Sequence, residues 1–438
     1  MTFSYCRLSA ALGFLLGVFV TGSLDARAQE TAGSPTGACP SNSAVAFADP
    51  MSEPHWNGWG VDTAQHRFQP AGMARLDPSN VARLKVKWAF GFPDASRAVA
   101  QPTVFGGRVF VGSQDGKVYS LDAKSGCTYW EFGAGKGVRS AVVIGPRGAG
   151  WAAYFGDQGA NVHSVDALTG KTLWRTKADD HPTAVITGSP TLVGATLFVP
   201  ISSYEEATAA NKTVSCCSFR GSLVALDASS GKVLWKTFTI AEPVKPGATN
   251  AAGVQQMGPS GAGIWSAPTF DAVSQQVYAT TGDNYSDPPT ETSDAILALD
   301  ARSGELSWSR QTTSGDAFNV ACKSPEKENC PKANGPDFDF GSSAVLADLP
   351  NGKRILVAGQ KSGVVTAIDP DQGGAIVWQK RVGDGGALGG VEWGIAADRG
   401  NVYVAVSDVK LAVVALSAPG AQPNIFNPKE CPSSGKRL

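Results

Sequence analysis

The chain contains no Cys-x-x-Cys-His in its 438 residues, so covalent attachment of a c-type haem is excluded. Histidine is scarce: His55, His66, His163 and His181 stand too far apart to give the spacing of a zinc site. An excess of one charge is missing as well. The formal net charge is −1, with neither basic clusters nor an acidic tail, which argues against nucleic acid or a polycation as partner. Beyond Val20 no run is apolar enough to cross a bilayer, and the 3.6-residue spacing of an amphipathic helix is nowhere sustained.

What is present begins with a leader. Arg7, the apolar run Leu8 to Val20 and the small-x-small sequence Ala26-Arg27-Ala28 have the layout of a secretory signal peptide, so residues 1–28 are expected to be removed and the protein to reside in the periplasm or outside the cell. Cys39 lacks the Leu three positions earlier that lipoprotein processing favours, so no lipid anchor is expected. Of the eight cysteines Cys6 belongs to the leader, which leaves an odd number in an oxidising compartment.

Internal repetition is the strongest pattern. "VYSLDAKSGCTYW", "VHSVDALTGKTLW", "LVALDASSGKVLW" and "ILALDARSGELSW" each place a Trp eight residues after an Asp with Gly halfway, and "VTAIDPDQGGAIVW" is a fifth copy with one residue added. The alternating apolar residues before each Asp predict a strand, Asp-x-x-x-Gly a turn and the apolar-Trp segment a second strand. The Asp carboxylate can accept N–H bonds inside the turn while Gly takes the positive φ. A further pair of short strands precedes each hairpin, giving about four strands per unit, the composition of a β-propeller blade. The fold class is therefore all-β, with residues 29–88 contributing to the propeller, 89–410 forming its repeats and 411–438 an irregular tail. Trp130, Trp174, Trp235, Trp308 and Trp378 are expected to pack between blades.

The anchoring Asp residues 122, 166, 227, 300 and 369 are separated by 44, 61, 73 and 69 residues, so the later units carry insertions. Insertions emerge at blade ends, where a site can be built over the central channel. Trp265 stands out because it does not follow a repeat Asp at the usual distance. Asp337 and Asp339 in "GPDFDFGSSAVL" are two apart and can face the same way in an extended segment.

The docked hairpins resemble the quinoprotein alcohol dehydrogenases. So does the opening "WNGWGVDTAQHRFQPAGMARLDPSNVARLKVKW", and "SGCTYWEF", "YEEATAANKTVSCCSFRG" and "GGVEWGIAADRG" are similar to the polyvinyl alcohol dehydrogenase-like branch. The resemblance runs from about Trp56 to Lys410. It implies an eight-bladed propeller that carries pyrroloquinoline quinone (PQQ) and calcium above its channel. Trp265 takes the place of a Trp stacked beneath the quinone, and Asn284 that of an asparagine ligand of the metal. One of Glu205 and Glu206 matches the glutamate ligand, the pattern not saying which. Asp339 maps onto the catalytic base, with Asp337 assisting it or binding metal. Lys361 takes the place of a basic group at the quinone carbonyls. Arg147 resembles an arginine that pairs with a quinone carboxylate, and Arg139 is its rival.

Relatives close a vicinal disulfide over the quinone. Here that position reads Val142-Val143, and the adjacent pair stands instead at Cys216-Cys217, where it is a candidate lid. Cys322 with Cys330 and Cys39 with Cys127 are the other expected pairs, leaving Cys431 over. Five copies and part of a sixth, "GNVYVAVSD", can be recognised, so the family's eight blades are expected to be incomplete in this chain.

The function implied is oxidation of a secondary alcohol, polymeric or small, to a carbonyl, with electrons passed to a separate acceptor such as a c-type cytochrome or a membrane quinone. Sugar oxidation with the same cofactor shares that chemistry. The alternatives are a non-catalytic periplasmic propeller scaffold, since similar blades build outer-membrane assembly proteins, or a truncated inactive paralogue.

Overall fold

Each Asp-x-x-x-Gly turn forms because its carboxylate caps the turn from inside. Oδ1 of Asp122, Asp166, Asp227 and Asp300 accepts the backbone N–H three residues on at 2.7, 2.8, 2.9 and 2.7 Å. In the computed structural model, which describes residues 37–40, 47 and 54–408, these turns join the third and fourth strands of successive antiparallel sheets. The leader expected at 1–28 and the tail expected at 411–438 lie outside the described residues.

The first sheet comprises Thr103–Phe105, Arg108–Gly112, Lys117–Asp122 and Thr128–Gly133, and the second Val143–Arg147, Gly150–Gly156, Asn161–Asp166 and Thr172–Lys177. Thr191–Val193, Thr196–Ser203, Ser222–Asp227 and Val233–Phe238 form the third, with Ala184–Val185 added to its second strand. The fourth is Thr269–Asp271, Gln276–Thr280, Ala295–Asp300 and Leu306–Gln311, and the fifth Val345–Asp348, Arg354–Gly359, Val364–Asp369 and Ala375–Arg381. A sixth unit shows the pair Ala396–Ala397 and Val402–Tyr403. The two described α-helices, Ala71–Ala74 and Glu205–Thr208, are one turn each.

Neighbouring sheets are pinned through the repeat tryptophans. The indole N–H of Trp130, Trp174 and Trp235 donates to the carbonyl of Ala167, Ala228 and Ala301, the residue after the next anchoring Asp, at 3.2, 2.9 and 3.2 Å. Trp88 does the same to Ala123 at 3.2 Å, a docking residue that the repeat pattern misses because no anchoring Asp precedes it. Each ring lies flat on the turn glycine, so a Cβ on Gly126, Gly170, Gly231 or Gly304 would fall within 3 Å of it. Trp378 departs from the expectation: it is 40% exposed, and no following turn covers it among the described residues.

A second device holds the sheets in a ring. Residues 56–66 run past the inner strands and bond to all six units. Trp56 and Val104 exchange backbone bonds at 2.8 and 2.9 Å, and Asn57 does so with Ile144 through its amide, both at 2.8 Å. Gln65 reaches Thr191 at 3.2 Å and Pro268 at 2.8 Å. The carbonyls of Thr63, Ala64 and His66 accept from Phe270, Leu346 and Ala397 at 2.8, 3.0 and 2.9 Å.

The long intervals between anchors pack against one another as a cap. Asn329 donates to the carbonyls of Ala209, Asn211 and Val214 and accepts from Asn250, so one amide ties three insertions together. Disulfides join Cys39 to Cys127, Cys322 to Cys330 and Cys216 to Cys217.

The docking geometry separates two costs. Gly231 has φ +73° and no room, since its Cβ would meet the Trp174 ring at 2.6 Å, whereas Gly194 has φ +56° and open space. Gly194→Ala should lose about 1–2 kcal/mol from the left-handed backbone alone, and Gly231→Ala about 2–4 kcal/mol because the indole must also move. Urea denaturation measures both, and equal losses would contradict the docking argument.

Candidate active site

The second strand of each sheet ends at the same face of the ring, and the residues just after it form the site. Glu205 and Glu206 follow Thr196–Ser203, Asp283 and Asn284 follow Gln276–Thr280, and Lys361 follows Arg354–Gly359. The segment leading into the fifth sheet brings Asp337 and Asp339 to the same place. Asp316 fixes that segment by accepting the N–H groups of Asp337 and Phe338 at 3.2 and 2.8 Å.

At the centre, Lys361 Nζ donates to Asp337 Oδ1 at 2.7 Å and to Asp339 Oδ2 at 2.9 Å. Asp339 Oδ1 accepts the backbone N–H of Asp283 at 2.7 Å. These four residues are 1–7% exposed. Gly282 is required here, because a Cβ would lie 2.6 Å from the Asp339 carboxylate. Oxygens of Asp283, Asp337 and Asp339 all lie within 4.8 Å of one another.

Such a group is electrostatically unfinished. Burial, then the charges of Asp339 and Asp337, push the Asp283 carboxyl well above the ordinary range, and burial raises Asp337 in the same way despite Lys361. Glu206 is pushed up to about 7 by burial and by Asp339, with Lys361 opposing. Burial works against the Lys361 ammonium, yet Asp339, Asp337 and Glu206 hold it protonated. Among the described residues, Asp283 Oδ2 and both oxygens of the buried Asp294 have no hydrogen-bond partner. A single ammonium among so many carboxylates leaves oxygen donors of the hard type that suits calcium, and the orphaned buried oxygen on Asp283, a member of the cluster, is the observation that fits a cation there.

Beside this cluster stands Trp265. Lys361 Nζ lies 5.6 Å from its ring centroid, and Gly341 packs so closely that a Cβ would fall 2.4 Å from the indole. Trp393 meets Trp265 edge to face, centroids 5.2 Å apart and planes at 67°, and the Arg139 guanidinium covers Trp393 at 4.2 Å. Trp59, Arg139, Trp265 and Trp393 line a cavity of about 30 Å³, room for about one water.

The remaining expected residues are placed differently. Glu205 spends its carboxylate on the backbone, accepting from Ser218 at 2.8 Å and Phe219 at 2.7 Å, so it anchors the residues that follow the vicinal cysteines. Asn284 is also committed, with Oδ1 accepting from Thr290 N at 2.7 Å and Nδ2 donating to Ser260 O at 3.0 Å. Arg147 is exposed at the turn between the first two strands of the second sheet, whereas its rival Arg139 lines the cavity beside Trp265. Cys216 and Cys217 are buried among Ala209, Phe219 and Tyr285 and do not line the cavity at Trp265. Tyr285 shares their buried cluster, and burial, then Glu206, Asp283 and Asp339, raise its hydroxyl well above the ordinary range.

Sequence reasoning missed Asp283, Glu392 and Trp393. Asp283 was findable from the register that puts Glu206 and Lys361 just beyond a second strand. Glu392 is raised by burial and by Asp339, while Lys361 and Arg139 oppose. It and Trp393 sit in a stretch with no repeat partner, tied back by the bond from Trp393 N to Gly341 O at 3.0 Å.

Comparison with known proteins places this arrangement. A family model for the PQQ "glucose/ethanol/alcohol dehydrogenase, beta-propeller domain" matches residues 56–326. Polyvinylalcohol dehydrogenase of a Pseudomonas species is 43% identical over 375 residues, 85% of this chain and 57% of that protein. Its namesake from a Sphingopyxis species is 41% identical over 396 residues, 89% of this chain and 60% of that one. The chain thus spans under two thirds of the length of these relatives. Among solved structures, quinohemoprotein alcohol dehydrogenase from Comamonas testosteroni superimposes with a TM-score of 0.56 at 20% identity, over 75% of this chain and 49% of that one, a likeness of fold.

Two outcomes follow from the geometry. Calcium added to the purified protein should raise its thermal midpoint, and Asp283→Asn should remove most of that rise; an unchanged rise would remove Asp283 from the cation site. Glu205→Ala should cost about 1–3 kcal/mol in urea denaturation by orphaning the buried N–H of Phe219 and loosening the more exposed Ser218, with Glu205→Gln costing less. A loss below about 1 kcal/mol would show that Glu205 does not hold the cysteine segment.

Proposed function

The chain belongs to the PQQ-type glucose/ethanol/alcohol dehydrogenase β-propeller family, and from that premise we propose that it oxidises secondary alcohols, of the kind repeated along polyvinyl alcohol, to carbonyls. The observation that carries this reading is the convergence, on one face, of three buried carboxylates, an ammonium and an indole. A scaffold propeller has no use for orphaned carboxylate oxygens in its core, since each costs stability.

The donor set fits the group the family is named for. Asp283, Asp337 and Glu206 would hold calcium, with Asn284 and Glu205 bracing the loops behind them. Trp265 offers the flat apolar surface for a quinone, and Lys361 and Arg139 the cations for its oxygens and carboxylates. When bound, calcium and PQQ supply the Lewis acid and the two-electron acceptor that amino acids lack.

The chain's own residues do the rest. Asp339 takes the hydroxyl proton of the alcohol, because its carboxylate is held at fixed orientation by Asp283 N–H on one oxygen and Lys361 on the other. Lys361 shares its charge between Asp337 and Asp339, so that proton uptake at Asp339 leaves the ammonium paired with Asp337. Burial keeps water from the base. Electrons would leave to an acceptor such as a c-type cytochrome or a membrane quinone. The leader-like opening favours the periplasm.

Reconstitution tests the reading. Protein incubated with calcium and PQQ and passed through gel filtration should retain quinone absorbance and reduce a dye in the presence of pentane-2,4-diol. Asp339→Asn should keep the quinone and lose about a hundredfold or more in rate. Protein that retains no quinone, or an Asp339→Asn variant as fast as the parent, would contradict it.

A further inference from the structure

A second concave site opens on the same face, between the ends of the first two sheets and Tyr204, the residue immediately before Glu205. It is a cleft of about 480 Å³, within the range of small-molecule sites. Its charge is one-sided. Lys136, Arg175 and Lys177 line it, and no Asp or Glu does. Arg175 and Lys177 are two apart on the strand Thr172–Lys177, so both point to one side of the sheet. Lys136 comes from the loop after the first sheet and lies along Gly159, where a Cβ would touch its Cγ at 3.0 Å. None of the three forms an ion pair among the described residues, although Lys117, Lys212, Lys236 and Lys361 each do.

The walls supply the complement to a charged organic molecule. Tyr204 accepts a hydrogen bond from Gln158 Nε2 at its hydroxyl oxygen, which leaves the O–H to donate into the cleft. Lys177 donates to Gly159 O at 2.6 Å, which fixes its stem while two of its three N–H groups stay available. Of the apolar lining, Pro182 is exposed while Ala134, Ala184 and Val185 are buried, so the cleft carries a small apolar patch that a bare inorganic ion would not use. Three converging cations without counter-charges repel one another, and an anion with two or three carboxylates removes that repulsion at once.

We propose that this cleft binds a compact organic polyanion of the di- or tricarboxylate class, a ligand site separate from the Asp283–Asp337–Asp339 cluster and adjacent to its rim through Tyr204. It requires neither cofactor nor catalytic activity, so it stands or falls independently of the dehydrogenase reading.

Calorimetric titration of the intact protein with citrate at low ionic strength tests it. Saturable binding of one citrate per chain is expected, weakening as salt rises above about 0.1 M because the cations are exposed. The double variant Arg175→Glu, Lys177→Glu should bind about tenfold or more weakly with its thermal midpoint unchanged, while Lys117→Glu, on the first sheet and outside the cleft, should bind as the parent does. Citrate binding tighter than phosphate supports the organic class; phosphate binding as tight as citrate overturns that class and leaves an inorganic anion site. Absence of saturable binding, or equal affinity in the double variant, overturns the site itself.

Discussion

Everything on the functional face depends on one electrostatic constraint: three carboxylates share a buried space with a single ammonium. Asp337 and Asp339 are each satisfied on one side by Lys361, but among the described residues Asp283 keeps an oxygen with no partner and the buried Asp294 keeps two. Such a cluster is tolerated in a folded core only when carboxyls stay protonated or a cation neutralises them. The raised pKa values of Asp283, Asp337 and Glu206 are the cation-free solution to that constraint. A bound divalent ion is the other.

The surrounding architecture serves to hold that space open. The turn glycines let each indole seat on the next sheet, and the run 56–66 stitches the inner strands of all six units, so the strand ends that carry the acids are fixed relative to one another. The insertions then act as braces more than as donors. Glu205 and Asn284 spend their polar atoms on backbone groups, and Asn329 spends its own on three loops. Buried polar networks of this kind rigidify because each member left alone would cost more than the bond it makes.

How much of this could be read in advance follows from periodicity. The docking hairpins were legible because Asp, Gly and Trp recur at fixed spacing, and the indoles of Trp130, Trp174 and Trp235 make the same bond to the next turn each time. Trp88 was not, because its partner turn lies ahead of it and no Asp stands behind it. Within the site, Trp265, Lys361, Asp337 and Asp339 fall together in the structure as one group. The neighbouring choices were harder. Adjacent side chains diverge, Glu205 and Glu206 at the start of a one-turn helix and Asp283 and Asn284 at the start of a short strand, so sequence could not separate Glu205 from Glu206 or weigh Asp283 against Asn284. Arg147 ends the strand Val143–Arg147, and Arg139 lies in the segment that leads into it. The vicinal cysteines show the limit most plainly, since adjacency suggested their bond but not their setting, a buried cluster shared with Phe219 and Tyr285.

The most direct test of the central claim is crystallographic. Crystals of the protein grown with calcium and PQQ, with anomalous scattering recorded for the metal, should show a peak bonded to oxygens of Asp283 and Asp337 and planar density on the Trp265 indole. Carboxylates still closed around Lys361, with no peak among them and no ring on Trp265, would contradict the account.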